Sequence, residues 1–74
     1  MADRVAYAVL TYRQGATWYA EVPDLDYTGA WAATEAEALA LVQEVIATVR
    51  TSYRQQGVDP PAPETRCVML AVDV

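Results

Sequence analysis

Residues 34–57 constrain the fold of this chain more than any other segment. Thr34 and Glu37 have the Ser/Thr-x-x-Glu spacing of a capping box, in which the two side chains satisfy backbone N–H groups at the start of a helix. Apolar residues then recur at alternating spacings of three and four, which at roughly 100° per residue places them on one stripe: Leu39, Val42, Ile46, Val49 and Tyr53. Gly57 readily takes the left-handed conformation that ends a helix. The sequence therefore predicts one amphipathic helix.

Two short segments before the helix predict a β-hairpin. Residues 5–12 are rich in β-branched and aromatic side chains, and residues 13–16 form a polar turn with a glycine. Residues 17–22 then alternate, with Trp18 and Val22 on one face and Tyr19 on the other. We expect the Trp18 face to pack against the helix, and Pro23 to end the strand because it has no N–H to donate.

A loop over residues 24–27 leads to a third predicted strand over residues 28–33, where Gly29 indicates a bulge or a close backbone approach. After the helix, three prolines make residues 58–64 a stiff connector. Residues 66–73 alternate again and predict a last strand, with Val68, Leu70 and Val72 on one face and Cys67, Met69 and Ala71 on the other. The predicted fold class is α+β: a single β-β-β-α-β domain over residues 1–74, with one helix on one face of a small sheet.

This architecture leaves apolar surface uncovered. A chain of 74 residues, 54% of them hydrophobic, buries only about 60% of its unfolded surface. The second face of the predicted sheet carries Tyr19 and Met69. On the helix, Leu41 and Val45 widen the apolar arc to roughly 160°. We therefore expect a dimer or tetramer, with Leu41, Val45 and Met69 as candidates for the interface.

Charge and the absence of targeting patterns narrow the expected class of partner and the expected location. The net charge is -5, with five arginines and no lysine, which disfavours a nucleic-acid surface and favours a basic partner. The chain has neither a signal-peptide pattern nor an apolar run of membrane-spanning length, so we expect a cytoplasmic protein without a membrane segment. Cys67 is the only cysteine, and no intramolecular disulfide is possible.

The sequence offers little for catalysis. Glu21, Asp24 and Asp26 bracket a turn and have the residue type of paired catalytic or metal-binding carboxylates, but the chain contains no histidine and no glycine-rich phosphate loop. The simpler interpretation is a solvated turn whose aspartates cap backbone groups. Cys67 lacks a histidine base, so we expect it to pack as a small apolar residue. We expect no catalytic residue, cofactor or metal.

Two further groups have both a binding and a structural interpretation. Arg50 and Arg54, one helical turn apart, have the chemistry to bind phosphate or a carboxylate, but their place in the last turns is explained by the helix dipole. Trp18, Tyr19 and Trp31 resemble a base-stacking set without the basic groove that single strands require. We expect Trp18 in the core, and Tyr19 and Trp31 at a protein contact.

Residues 21–25, Glu-Val-Pro-Asp-Leu, are followed nine residues on by the helix entry Thr-Glu-Ala-Glu-Ala-Leu, and later by Gly57 and the proline-rich connector. This order resembles the HicB antitoxin-like family, also described as the UPF0150 group. The matching positions are Tyr19, Ala20, Pro23, Asp24, Leu25, Thr34, Glu35, Ala38 and Gly57. The chain departs from the family at residues 26–28, where Pro-Gly-Cys is usual, and at Ala32, where glycine is usual. Full-length family antitoxins usually carry a C-terminal DNA-binding segment, and this sequence stops at Val74, so the resemblance does not lead us to expect operator binding.

The resemblance implies a partial RNase H-like fold, homo-oligomerisation, and non-catalytic occlusion of a small basic RNA-cleaving toxin of the HicA type. On this hypothesis the partner-binding residues are Glu21, Asp24 and Asp26 at the acidic end of the hairpin, with Tyr19 and Trp31 as aromatic anchors. The alternative is an orphan homo-oligomeric domain that binds a small ligand or an unrelated protein through the open sheet face. A metal-dependent nuclease-like enzyme is a third and weaker alternative.

Overall fold

Three antiparallel strands and one long helix make up the fold. The structure is a computed structural model that describes residues 4–73, so residues 1–3 and 74 of the predicted domain lie outside it. Strand β1 (Leu10–Gln14), strand β2 (Thr17–Val22), a 3₁₀ turn (Pro23–Leu25), strand β3 (Thr28–Ala32) and helix α1 (Glu35–Gln55) follow in order. The sheet order is β1-β2-β3. The predicted α+β class and the predicted order of three strands and a helix are confirmed.

The first strand begins later than the sequence predicted. Gln14 pairs with Thr17 across a two-residue turn, in which Gly15 has a φ of 62°, and Leu10 pairs with Glu21. Only Val22 of β2 lies beyond that last pair, so residues 5–8 have no β2 residue opposite them. The prediction of a strand over residues 5–12 is therefore wrong at its start, and it also ends too early, because β1 includes Arg13 and Gln14 of the predicted turn.

The core lies between the sheet and the helix. Its buried residues are Ala20, Val22, Leu25, Ala38 and Val42. Trp18 packs against this cluster, as the alternation of β2 predicted. Leu39 was predicted on the buried stripe but is exposed, and Ala38 takes its place. The first turn of α1 thus contacts the sheet one residue earlier than predicted, where small alanines on both sides allow close packing.

Both ends of α1 have the predicted signals. The hydroxyl of Thr34 accepts a hydrogen bond from the Glu37 N–H at 3.2 Å and donates one to Glu37 Oε1 at 2.9 Å. The second bond differs from the predicted capping box, in which the Glu side chain binds the backbone of the cap. At the other end Gly57 has a φ of 76°, and Val58 N–H donates to the Tyr53 carbonyl at 2.9 Å. This is the Schellman pattern, and it confirms the predicted stop.

The predicted last strand is not formed. Residues 66–73, which we call the 66–73 arm, pair with no strand in the described part of the chain and are exposed throughout. Met69 is 96% exposed and Leu70 is 81% exposed. The arm contributes to a radius of gyration of 14.1 Å, against about 11 Å for a compact domain of this length. An alternating sequence alone does not make a strand, because the backbone must also form hydrogen bonds with a neighbouring strand.

Gly29 yields a test of the sheet. A Cβ at this position would collide with the carbonyl oxygen of Ala20, a backbone atom that cannot rotate away, which confirms the predicted close approach. We expect Gly29→Ala to lower the free energy of unfolding by about 1–3 kcal/mol, measured by urea denaturation. Gly15→Asn is the control, because nothing lies within 4 Å of a Cβ there and Asn tolerates positive φ. Equal stability of Gly29→Ala and the wild-type chain would contradict the close approach.

Candidate protein-interaction surfaces

Aromatic side chains cross the sheet face that is turned away from the helix. Tyr12 of β1 pairs with Tyr19 of β2, and Tyr19 pairs with Trp31 of β3. The Tyr12 and Tyr19 rings stack with centroids 5.2 Å apart and planes 12° from parallel. Trp31 is 67% exposed. We call this set, with Tyr27 and Glu21, the aromatic face; it lines a shallow depression of about 270 Å³. Tyr19, Glu21 and Trp31 were all predicted as partner-binding residues, and the fold brings them together.

Glu21 supplies a negative charge among these rings. Its carboxylate accepts a hydrogen bond from the Tyr12 hydroxyl at 3.2 Å. Burial and the adjacent Glu21 carboxylate both disfavour the phenolate, so the pKa of Tyr12 lies above its ordinary value. Tyr12 therefore stays a neutral donor that holds the Glu21 side chain on the aromatic face. Sequence reasoning missed Tyr12 and Tyr27; the pairing of Tyr12 with Tyr19 required the hairpin register.

Asp24 is occupied within its own chain. Its carboxylate accepts hydrogen bonds from the N–H groups of Glu64 and Thr65, at 3.0 and 2.8 Å, and from the Thr65 hydroxyl at 2.7 Å. These bonds clamp the connector to the turn that follows β2. The sequence predicted Asp24 as a partner-binding residue or a local cap, but it caps backbone groups about forty residues away.

Asp26 lies in the same turn but does not join Asp24 and Glu21 in a cluster. It has a φ of 59°, and the turn is closed by the Tyr27 N–H, which donates to the Val22 carbonyl at 3.0 Å. Within residues 4–73 no group of three or more His, Cys, Asp or Glu side chains is arranged to hold a metal ion.

A second surface lies between β3 and the helix. An apolar groove of about 470 Å³, the β3–α1 groove, opens at the outer edge of the sheet. Its lining residues are Gly29, Ala30, Trp31, Leu41, Glu44, Val45, Thr48 and Val49. Leu41 is 43% exposed. Leu41 and Val45, predicted for an oligomer interface, thus lie side by side above an unpaired strand edge.

The remaining predicted residues lie apart from these surfaces. Met69 is on the 66–73 arm, and Cys67 is exposed there, so its predicted packing as an apolar strand residue is wrong within the described chain. The guanidinium of Arg50 lies 6.0 Å from the centre of the Tyr7 ring, and its Nε is buried without a hydrogen-bond partner among residues 4–73. Arg54 lies in the last turn of α1, where a cation complements the helix dipole.

Comparison with known proteins gives no relatives: no family model, no curated protein and no solved structure matches this chain. In the described range, residues 4–73, the helix is not apolar enough over sufficient length to cross a membrane.

The Asp24 clamp predicts a dependence of stability on pH. The N–H and the hydroxyl of Thr65 stabilise the carboxylate, so the pKa of Asp24 lies below its ordinary value. A group whose folded pKa is lowered stabilises the fold above its unfolded pKa of about 4, and that stabilisation is lost as the pH falls through the folded pKa. We expect Asp24→Asn to lower the urea midpoint at pH 7, and the difference from wild type to shrink below about pH 4.

Asp26→Asn is the matched control, because Asp26 is exposed and asparagine adopts its left-handed conformation readily. We expect it to follow the wild-type curve. If the midpoints of Asp24→Asn and wild type instead differ by a constant amount between pH 7 and pH 2, the Asp24 carboxylate does not clamp the connector.

Proposed function

We propose that this chain is a non-catalytic, HicB-like protein-interaction module that covers a basic partner with its aromatic face. The observation that carries the proposal is the row of Tyr12, Tyr19 and Trp31 across three adjacent strands, beside the Glu21 carboxylate. The helix covers the other side of the sheet, so nothing in the described chain shields this row from a partner.

Aromatic rings are well suited to such a contact. Tyrosine and tryptophan bury a large area while few rotatable bonds are fixed, and they dominate the energetic centres of protein interfaces. The stacked Tyr12 and Tyr19 rings are held in place before a partner arrives, which reduces the entropy lost on binding. Trp31, the most exposed of the three, is the anchor in this proposal.

The charge of the chain favours a basic partner. A net charge of -5 accelerates the approach of a cationic surface, and Glu21 lies where that surface would dock. The HicB-like sequence pattern suggests its class: a small basic toxin that binds and cleaves RNA. The mechanism is steric and electrostatic occlusion, in which the aromatic face covers basic residues that would otherwise contact RNA. No covalent step is involved.

A second candidate is an orphan module that binds a small apolar ligand or an unrelated protein. The β3–α1 groove favours it, because about 470 Å³ falls within the roughly 300–1,000 Å³ of ligand pockets. A toxin reading frame beside the gene would favour occlusion of a toxin, and its absence would favour the orphan module.

Removal of Trp31 tests the anchor. In a mixture with the cognate HicA-like toxin, we expect excess wild-type protein to suppress RNA cleavage, and Trp31→Ala to bind the toxin at least about tenfold more weakly by calorimetry. Leu39→Ala removes an exposed apolar side chain from the helix side of the molecule and should bind like wild type. Undiminished RNA cleavage at excess wild-type protein would contradict occlusion.

Neutralisation of Glu21 tests the electrostatic part. We expect Glu21→Gln to slow association with the basic toxin in low salt, with a smaller difference in high salt as charges are screened. Asp59→Asn removes the same charge from the exposed connector and should change the association rate less. The two variants should be compared by stopped-flow fluorescence. Equal rates for them would mean that only net charge matters and that Glu21 is not at the contact.

A further inference from the structure

The 66–73 arm has the pattern of a strand but no strand beside it. Its apolar side chains alternate, with Val68, Leu70 and Val72 on one side and Met69 on the other, and all of them are exposed. A row of exposed large apolar residues on an extended chain is costly in water. The arm therefore needs an apolar surface and a free sheet edge.

The connector before the arm is stiff and anchored to the rest of the fold. Pro60, Pro61 and Pro63 fix the backbone in extended conformations. Two contacts hold the connector at the base of the sheet: the Tyr7 hydroxyl donates to the Pro61 carbonyl at 2.6 Å, and Asp24 binds the backbone of Thr65. Beyond this anchored segment, residues 66–73 pair with no strand of the described chain and are exposed throughout.

The described part of the chain offers an open apolar acceptor for such an arm. The outer edge of β3 is unpaired in the described chain, and an unpaired edge presents N–H and C=O groups to an incoming strand. Leu41 and Val45 of the helix overhang this edge and form the wall of the β3–α1 groove.

The other edge of the sheet, β1, is also unpaired in the described chain, but its side chains are largely polar or charged. The Thr11 hydroxyl donates to the Glu35 carboxylate at 2.8 Å, and the Arg13 guanidinium lies 5.9 Å from the centre of the Trp18 ring. The Tyr7–Pro61 bond adds the connector below them. The helix itself contacts β2 and β3. An arm beside β1 would meet polar and charged side chains, so the β3 edge is the better match.

We propose that the 66–73 arm of one copy docks in the β3–α1 groove of a second copy and extends its sheet by one strand. Val68, Leu70 and Val72 face the helix wall at Leu41, and Met69 lies on the Trp31 side. Both copies donate an arm and accept one, so the exchange closes into a two-fold dimer. The occupant is a second copy because the unpaired arm and the unpaired β3 edge occur in the same chain and do not meet within its described part.

Native Cys67 allows a direct test. A nitroxide is attached to Cys67 of unlabelled wild-type chains, which are mixed with ¹⁵N-labelled chains of a Cys67→Ser variant, so that only contacts between copies broaden signals. We expect the strongest broadening at Trp31 and the amides of residues 41–48, and weaker broadening at residues 10–14, which lie two strands away from the β3 edge. Broadening centred on residues 10–14, or no broadening, would overturn the proposal.

Self-association gives the second readout, by sedimentation over a range of concentrations. We expect the wild-type chain to reach twice its 8.1 kDa mass, and both Leu41→Glu in the groove and Leu70→Glu in the arm to weaken the dimer by at least about tenfold. Ala47→Glu, which adds the same charge at an exposed position of the same helix, should dimerise like wild type. Circular dichroism checks that each variant remains helical.

The pattern across the variants identifies the contact. A wild-type chain that stays at 8.1 kDa would overturn the proposal. Weakening by Leu70→Glu alone would mean that the arm docks elsewhere, and weakening by Leu41→Glu alone would mean that the groove associates without the arm; either result also overturns it. If Leu41→Glu fails to fold, the nitroxide experiment decides, since it leaves the groove unchanged.

Discussion

A single helix over β2 and β3 is the constraint on which the rest of the structure depends. It buries Ala20, Val22 and Val42 and gives the chain its core, but it can cover only one face and only part of the sheet's width. The apolar arc of the helix is wider than the strands beneath it, so Leu41 remains partly exposed above the β3 edge. The interaction surfaces that we propose are therefore the places that this one helix does not cover.

The clamp between Asp24 and Thr65 is the second determinant of the architecture. It uses three hydrogen bonds to one carboxylate to fix where the chain goes after the helix. Together with the prolines it makes the segment after the helix a stiff, anchored spacer, and the arm beyond this spacer is exposed. Asp24, which was predicted to bind a partner, thus has a structural role. The apolar arm is instead the segment that lacks a strand beside it in the described chain.

The aromatic face and the β3–α1 groove meet at Trp31, which lines both. A second copy docked in the groove would therefore border the surface that we propose for a basic partner. An arm from another copy beside β3 would extend the aromatic face with Met69, whose flexible side chain packs well against rings. Self-association and partner binding in these proposals are neighbouring events on one sheet, so they can influence each other.

Local patterns in the sequence determined the helix and its ends, the third strand, and the side of β2 that faces the core, because capping, alternation and helical periodicity involve residues close in the chain. They also placed Tyr19 and Glu21 on one face of β2, since strand parity decides which face a residue lies on, whereas Trp31 joins them through the pairing of β3 with β2. Only the tertiary structure decided the start of β1, the role of Asp24 and the unpaired state of the 66–73 arm. Each of these three features depends on contacts between segments that are distant in the sequence. An alternating pattern shows that a segment can form a strand, but it does not show whether the same chain offers a free sheet edge for that strand.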